Sequence, residues 1–457
     1  MEKWVIAAKR ADFQKIAQTF HIDPVTARLI RNRDVVGMEE MEKYLHGDLS
    51  LLPSPWRMKD MEKAVDILEE KIRQSRKIRV IGDYDIDGVM ASYILLRGLR
   101  CLGAAADVMI PHRITDGYGI NESLIEKAAK DQVDTIVTCD NGIAAAGQIG
   151  RAKELGMTVI VTDHHEVPYR EEGGERLEFL PPADAVINPK QRSCGYPFKL
   201  LCGAAVAACL ICALYDRFSV DPAEKEALLE YEAIATIGDV MDLVGDNRIL
   251  VKEGLKRLHH TENYGLQALC EVNALTADQI TPYHIGFVLG PCLNASGRLD
   301  TARKALQLLW AKTKEEARHL AEELKELNEE RKAMTEEGVE EAAAQVENTD
   351  LREDRVLVVY LPDCHESLAG IIAGRLRERY HKPAFVLTRT ENGVKGSGRS
   401  IEAYSMYEEL VKAGHLLEKF GGHPMAAGIS LAEENVDPFR RLLNEQCALT
   451  KEDLVEK

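Results

Sequence analysis

The sequence predicts an α/β protein in two parts: a parallel, doubly wound domain joined by a long helix to a smaller α/β domain. Three observations carry this. From residue 76, short β-branched runs alternate with amphipathic helical stretches, the pattern of a parallel sheet covered on both faces. Between Thr301 and Glu337 there is neither Gly nor Pro, and apolar residues keep a helical period. Beyond that stretch a second series of strand-like runs begins.

Residues 1–75 are charged and helix-like and carry no recognisable chemistry; they are expected to form an N-terminal helical region packed on the domain that follows. Within residues 76–300 the strand candidates are "KIRVIGDYD", "VDTIVTCDNGI" and "MTVIVTDHHE", and the first two lead into the helical "GVMASYILLRGLRCLG" and "AAAGQIGRAKELG". Ligands of such sheets sit at the carboxyl ends of strands, and each polar cluster in this region is read as lying at such an end. A connecting helix is assigned to 301–345, with Ala317, Leu320, Ala321, Leu324 and Leu327 on one apolar face and an end expected near Gly338. Between Lys312 and Glu347 there are twelve Glu against six Lys and Arg, so this helix is a solvated, acidic connector. Residues 346–445 make the smaller domain, with "RVLVVYLPD", "HKPAFVLTRT" and "GVKGSGRS" as strands and "FGGHPMAAGISL" near its close; residues 446–457 are a C-terminal tail.

Composition narrows the function classes. A net charge of −17 excludes a protein coated in basic surface, but not a local groove that holds a nucleic-acid strand. The opening "MEKWVIAAKR" lacks a basic segment followed by an apolar one, and "GAAVAACLICALY" at 203–215 is shorter than the roughly 20 residues of a spanning helix. The expectation is a cytoplasmic protein with no membrane association. Ten cysteines in a chain of 457 residues read as reduced core residues, and Cys209-x-x-Cys212, with no second pair at zinc spacing, reads as structural.

Clustered oxygen donors with some imidazole are the ligands that Mn²⁺ and Mg²⁺ favour. Here they are Asp83, Asp85 and Asp87 in "GDYDIDG", Asp140 in "VTCDNGI", Asp163, His164 and His165 in "VTDHHEVP", and Asp239 in "ATIGDVMDLVGDN". Each has a plainer reading alone. The aspartate run could be a calcium loop or a turn, although Ile94 stands where an EF-hand would place its Glu; Asp140 could cap a helix, and adjacent histidines could be surface residues. Together they point to metal, because so many carboxylates would raise one another's pKa unless bound dications offset the repulsion.

With these segments in place, the sequence resembles the DHH phosphoesterase superfamily, named for the triplet held here by Asp163, His164 and His165, and within it the RecJ family of single-strand-DNA-specific exonucleases. The similarity covers nearly the whole chain. It includes "VMIPHRITDGYGIN" at 108–121, "YPFKLLCGAAVA" at 196–207 and "GPCLNASGRLD" at 290–300, while "HESLAGIIAGRL" at 365–376 and "GGHPMAAGIS" at 421–430 resemble the family's DHHA1 domain. The resemblance implies a DHH catalytic domain and a DHHA1 substrate-binding domain with the catalytic cleft between them. It implies two Mn²⁺ or Mg²⁺ ions held by Asp83, Asp85, Asp87, Asp140, His164 and Asp239, with His165 facing the scissile phosphate and Asp163 and Asp140 also catalytic. Substrate contacts fall on Arg113, Arg298, Ser397, Arg399 and His423.

The implied activity is hydrolysis of single-stranded DNA from the 5′ end with release of 5′-mononucleotides, in DNA repair and recombination, alongside a single-strand-binding protein or a helicase. The alternative in the same superfamily is a phosphodiesterase of short oligonucleotides or cyclic dinucleotides, whose usual members lack the N-terminal region and the "GPCLNASGR" segment. A non-catalytic scaffold of the same fold would have lost the metal ligands. Three departures stand out: Ile81 where many relatives place a His, Cys292 where many carry an Arg, and the absence of the OB-fold that follows the second domain in full-length members. The last implies a weaker grip on the strand.

Overall fold

The computed structural model describes Trp4 and residues 9–117, 119–173, 175–391 and 393–456. The chain divides into two compact units at Asn328 and Glu329. The larger unit contains β1 (Ile78–Ile81), β2 (Ala106–Met109), β3 (Thr135–Cys139), β4 (Thr158–Thr162), a hairpin of β5 (Tyr169–Glu172) and β6 (Glu175–Glu178), and β7 (Ala185–Ile187). Five of these form a parallel sheet in the order β2-β1-β3-β4-β7. Because alternate residues of a strand face opposite ways, the apolar runs feed two cores. On one face Val80, Val137 and Ile160 pack with helices Met61–Arg73, Ile86–Cys101 and Gly203–Arg217; on the other, Ile81, Ile136 and Val159 pack with helices Glu122–Lys130 and Ala146–Glu154. Arg79 is buried in β1 and tolerated there because Asp107, at 2.7 and 2.8 Å, and Asp131, at 2.9 Å, pair with it.

The sheet turns back on itself between β1 and β3. The chain leaves β1 for β2 on one side and then adds β3 on the other, so the carboxyl ends of β1 and β3 border the crevice in which sheets of this type bind ligands. β2 and β7 go beyond the three predicted strands: β2 is mostly half-buried where the equally short β1 is buried throughout, and β7 has three residues. Residues 9–75 supply helices Phe13–Phe20, Pro24–Asn32 and Met38–His46, which share a small core of Ile16, Ala27, Ile30, Val35 and Met41, and then helix Met61–Arg73. Lys43 ties this region to the buried Asp246 at 2.8 Å.

The predicted connecting helix over 301–345 is corrected in two respects. It is two helices, Arg303–Trp310 and Lys314–Asn348, because Ala311 leaves the helical conformation at ψ of 133° and the chain restarts at Thr313, whose hydroxyl accepts from the Glu316 amide at 3.2 Å. Nor does it end near Gly338. That glycine lies within the helix, where a side chain would come within 2.6 Å of Ile372, so its role is close packing rather than termination.

The smaller unit has β8 (Leu357–Tyr360), β9 (Ala384–Thr390), β10 (Gly393–Arg399), β11 (Lys419–His423) and β12 (Ala426–Leu431) in the order β11-β12-β10-β9-β8, with only β8 and β9 parallel. β9 alternates as its composition dictates: Phe385 and Leu387 meet Phe439 and Leu443 of helix Val436–Glu445, while Ala384 and Val386 meet Ile372 and Leu376 of helix Ala369–Tyr380. All ten cysteines are free thiols, and Cys209 and Cys212 lie on helix Gly203–Arg217. No helix among the described residues is long and apolar enough to cross a membrane.

Candidate metal centre

The aspartate run begins two residues beyond β1. Asp83 is fully buried, and its Oδ1 accepts from the Gly119 amide at 3.3 Å while Oδ2 has no hydrogen-bond partner among the described residues. Asp85 caps helix Ile86–Cys101, accepting from the Gly88 amide at 3.0 Å. Asp87, in the first turn of that helix, accepts from the amides of Gly203 and Ala204 at 2.6 and 2.7 Å, the exposed N–H groups at the start of helix Gly203–Arg217. Position 203 must be Gly, since a side chain would reach within 2.7 Å of Asp140 Cβ.

Asp140 follows β3 with φ of +60°, a left-handed conformation that Asp tolerates better than most residues. It caps no helix: the next, Ala146–Glu154, starts behind Ala145. Asp163 follows β4 and collects four donors: the amides of Ile143 at 2.9 Å, His164 at 2.7 Å and His165 at 3.1 Å, and the His165 ring through Nδ1 at 2.8 Å. His164 Nε2 lies 3.0 Å from Asp140 Oδ1, 3.5 Å from Asp87 Oδ2 and 3.8 Å from Asp239 Oδ2. Asp239 does not lie at a strand end, which corrects the expectation: it is the C-cap of helix Leu229–Gly238. A helix end aimed at the same crevice supplies a carboxylate as well as a strand end does.

Three groups of donor atoms could each hold a metal ion, their atoms all within 4.8 Å of one another: Asp83, Asp85 and Asp140; Asp87, His164 and Asp239; and Asp140, His164 and His165. Asp140 and His164 each belong to two of them. Burial, and then the neighbouring carboxylates, hold Asp83 and Asp140 well above the usual carboxylate range; burial raises Asp87, and burial with the charges of Asp87 and Asp85 pushes Asp239 up to about 8. Burial lowers His164, which favours the neutral imidazole a metal requires. A buried carboxylate oxygen without a donor and an oxygen-rich set with imidazole fit Mn²⁺ or Mg²⁺.

These shifts set a sign. Carboxylates with a folded pKa above the unfolded value of about 4 stabilise the fold when protonated, and that stability is lost as pH rises toward about 8. Without divalent ions, the melting temperature should therefore fall between about pH 5 and 8, more steeply than in Asp239→Asn, and saturating Mn²⁺ should remove the fall. A metal-free melting temperature with the same slope in both proteins would mean that Asp239 ionises without cost.

Comparison with known proteins agrees with this geometry. The DHH family, N-terminal domain, matches residues 77–236, and the DHHA1 domain matches residues 353–449. The chain is 36% identical over 445 residues to the single-stranded-DNA-specific exonuclease RecJ of Escherichia coli K12, covering 93% of this chain and 74% of that protein. This chain belongs to the RecJ family. It is 37% identical to RecJ of Bacillus subtilis strain 168 over 99% of its own length, and spans 56% of that relative. Among solved structures it resembles RecJ in complex with Mn²⁺ from Thermus thermophilus, with a TM-score of 0.82 and 31% identity, covering 97% of this chain and 62% of that one.

Within this RecJ-family chain the remaining predicted residues fall into separate places. Arg113 lies 4.3 Å over the ring of Tyr84, between Asp83 and Asp85, and the charge of Arg298, from helix Gly290–Leu299, also acts on Tyr84. In the DHHA1 unit, Ser397 and Arg399 of β10 sit against the first turn of helix Ala369–Tyr380: a side chain at Gly370 would meet Arg399 Nη2 at 2.9 Å and Ser397 Cβ at 3.4 Å. Arg399 has no carboxylate partner among the described residues, and burial with the nearby Arg377 lowers its pKa. His423 ends the exposed strand β11. Ile81 and Cys292 are both buried, and Cys292 Sγ lies 3.5 Å from Asn328 Nδ2.

Three asparagines that the sequence reading passed over hold the centre together. Asn141 Nδ2 donates to the carbonyls of Ile81 at 3.1 Å and Cys139 at 2.8 Å, joining the ends of β1 and β3. Asn294 Oδ1 accepts from the Ile86 amide at 2.8 Å, and Asn188 Nδ2 donates to the His165 carbonyl at 2.9 Å. Asn141 and Asn294 stand in segments singled out for other residues, "VTCDNGI" and "GPCLNASGR", where adjacency was the available signal.

Burial alone would raise the Asp163 carboxyl and lower the His165 imidazole; their mutual hydrogen bond and charge reverse both, leaving Asp163 low and His165 at about 9. Asp163→Asn should lower kcat roughly 10–100-fold with little change in Mn²⁺ affinity, as for other residues that orient a functional group. The deficit should be larger at pH 8 than at pH 6, because the released imidazole loses its proton between these values. A uniform loss across pH would assign Asp163 to the fold alone.

Proposed function

We propose that this chain is a metal-dependent exonuclease that hydrolyses single-stranded DNA from the 5′ end and releases 5′-mononucleotides, acting in the cytoplasm in DNA repair and recombination with a single-strand-binding protein or a helicase. The observation that carries the reading is Asp140, a buried carboxylate grouped with Asp83 and Asp85 and 3.0 Å from His164 of the group with Asp87 and Asp239, with His165 held beside it by Asp163. RecJ of Thermus thermophilus has also been solved with Mg²⁺, in keeping with either ion here.

Asp83, Asp85, Asp87, Asp140, His164 and Asp239 would hold two ions. Bound there, Mn²⁺ or Mg²⁺ supplies an activated water at neutral pH and charge that offsets the developing phosphorane. The chain's own residues do the rest. Asp163 fixes the His165 ring through Nδ1 and keeps it protonated, so the imidazolium can stabilise negative charge on the scissile phosphate. Arg113 and Arg298 contact the strand beside Tyr84. Ser397 and Arg399 bind the terminal 5′-phosphate, for which a guanidinium fork is well matched, and His423 contacts substrate from the same unit.

The test uses a long single strand labelled at either end, with a 5′-phosphate or a 5′-hydroxyl. Mononucleotides should appear first from the 5′ end, and faster from the phosphorylated strand. Arg399→Ala should cost about tenfold or more on 5′-phosphate ends and little on 5′-hydroxyl ends, since a charge-assisted contact contributes roughly 1.5–3 kcal/mol and its partner is already missing in the second case. Digestion from the 3′ end would remove the polarity from the proposal, and equal losses on both ends would move Arg399 to an internal phosphate.

A further inference from the structure

A cavity of about 290 Å³ in the DHH unit lies between the segment Leu49–Pro55 and helices Gly203–Arg217 and Leu229–Gly238. Its walls are mostly apolar, with Leu52, Leu201, Leu229 and Leu250 among them. Asp216, Lys225, Glu226 and Glu232 break that pattern, and two of these acidic residues are left without a cation. Glu232 lines the cavity although it is only 5% exposed, and its carboxyl has no hydrogen-bond or ion-pair partner among the described residues. Glu226 lines it from an exposed position and makes no ion pair among those residues, whereas the neighbouring Asp216 is engaged by Lys225. None of the metal-centre residues lines this cavity, so the phosphodiester chemistry gives Glu232 no role.

We propose that this cavity binds an aliphatic diamine, one ammonium group against Glu232 in the interior and the other against Glu226 at the mouth, with the methylene chain along the leucine walls. Burial without a compensating donor pushes the Glu232 carboxyl up to about 8, and an ammonium ion supplies both the missing donor and the missing charge. An anionic ligand would meet three carboxylates and one lysine already paired with Asp216, and an uncharged apolar one would leave Glu232 as it is. The methylene chain gains from leaving water for apolar walls, in a cavity at the small end of the range for ligand pockets. The occupant would touch the helix whose first amides hold Asp87 and the helix that ends on Asp239, so the site adjoins both supports of the metal centre.

Titration calorimetry of the full chain with 1,6-diaminohexane, hexylamine and 1,6-hexanediol tests this. The diamine should bind about tenfold more tightly than the monoamine, and the diol without measurable heat. Glu232→Gln, isosteric and uncharged, should weaken the diamine by about tenfold or more, and Glu226→Gln should bring it to the level of hexylamine. Cys209 and Cys212 line the same cavity, so bound diamine should slow their alkylation by iodoacetamide, read by peptide mass spectrometry, while exposed Cys101 reacts as before. No heat at millimolar diamine, equal affinity of wild type and Glu232→Gln, or unchanged alkylation of Cys209 and Cys212 would each overturn the proposal.

Discussion

EDTA should reduce hydrolysis of single-stranded DNA by this chain to background, and Mn²⁺ added in excess of the chelator should restore it. Without a dication, Asp83, Asp87, Asp140 and Asp239 are held toward their neutral forms by burial and by one another. A cluster in that state neither activates water nor offsets charge on a phosphate. The ligand atoms are nonetheless gathered within 4.8 Å, three at a time, so recovery needs only metal and the loss of protons. Restoration should be steeper at pH 8 than at pH 6, because the ion competes with protons for the same oxygens. In the same titration Mn²⁺ should raise the melting temperature, an independent measure of binding to the folded state. Undiminished turnover in excess chelator would separate these carboxylates from the chemistry altogether.

Asp140→Asn should have the next largest effect, a fall in kcat on the order of 10³-fold or more, about 4 kcal/mol of transition-state stabilisation, with DNA binding nearly unchanged. Asn is the informative replacement. It accepts the left-handed backbone that Asp140 adopts at φ of +60°, so the loss reports charge and not strain. The same variant should melt higher than wild type in EDTA and gain less from Mn²⁺, because the removed carboxylate is one that burial and its neighbours penalise. If instead turnover persists and only stability changes, Asp140 is a structural turn residue, and the two donor groups it shares do not act as one centre.

How much of this was legible in advance depends on where each residue gets its partners. Asp83, Asp85 and Asp87 announce themselves because strand, polar cluster and helix follow one another within a few residues, and Asp163 and the two histidines because they stand directly after a strand. Asp239 was legible as a member of the set but not as a helix cap, since the run "ATIGDVMDLVGDN" shows neither a strand period nor a clear helix end. The contacts of Asn294 and Gly203 were out of reach, although both stand in segments singled out for other reasons: one binds the Ile86 amide 208 residues away, the other gives an amide to Asp87 across 116 residues, and no local pattern encodes such contacts. The break at Ala311 and the continuation through Gly338 failed for a related reason. Composition reports what a helix tolerates, whereas a capping threonine and a neighbouring isoleucine decided where these helices begin and pack. Glu232 gave no signal, because acidic residues in an apolar helix, as Glu230 and Glu232 are, look like surface positions until burial is known.

The amides that hold Asp87 bear on how this metal centre is assembled during synthesis. Asp87 has no anchoring amides until Gly203 and Ala204 are synthesised, and the donor set lacks its last carboxylate until Asp239 follows. At about 5–20 residues per second, roughly 8–30 s separate Asp83 from Asp239. During that interval the nascent chain carries the acidic cluster without the frame that orders it. Chains stalled before Asp239 should therefore be inert toward the messenger RNA and DNA around them, a protection that comes from the order of residues along the chain and requires no inhibitor.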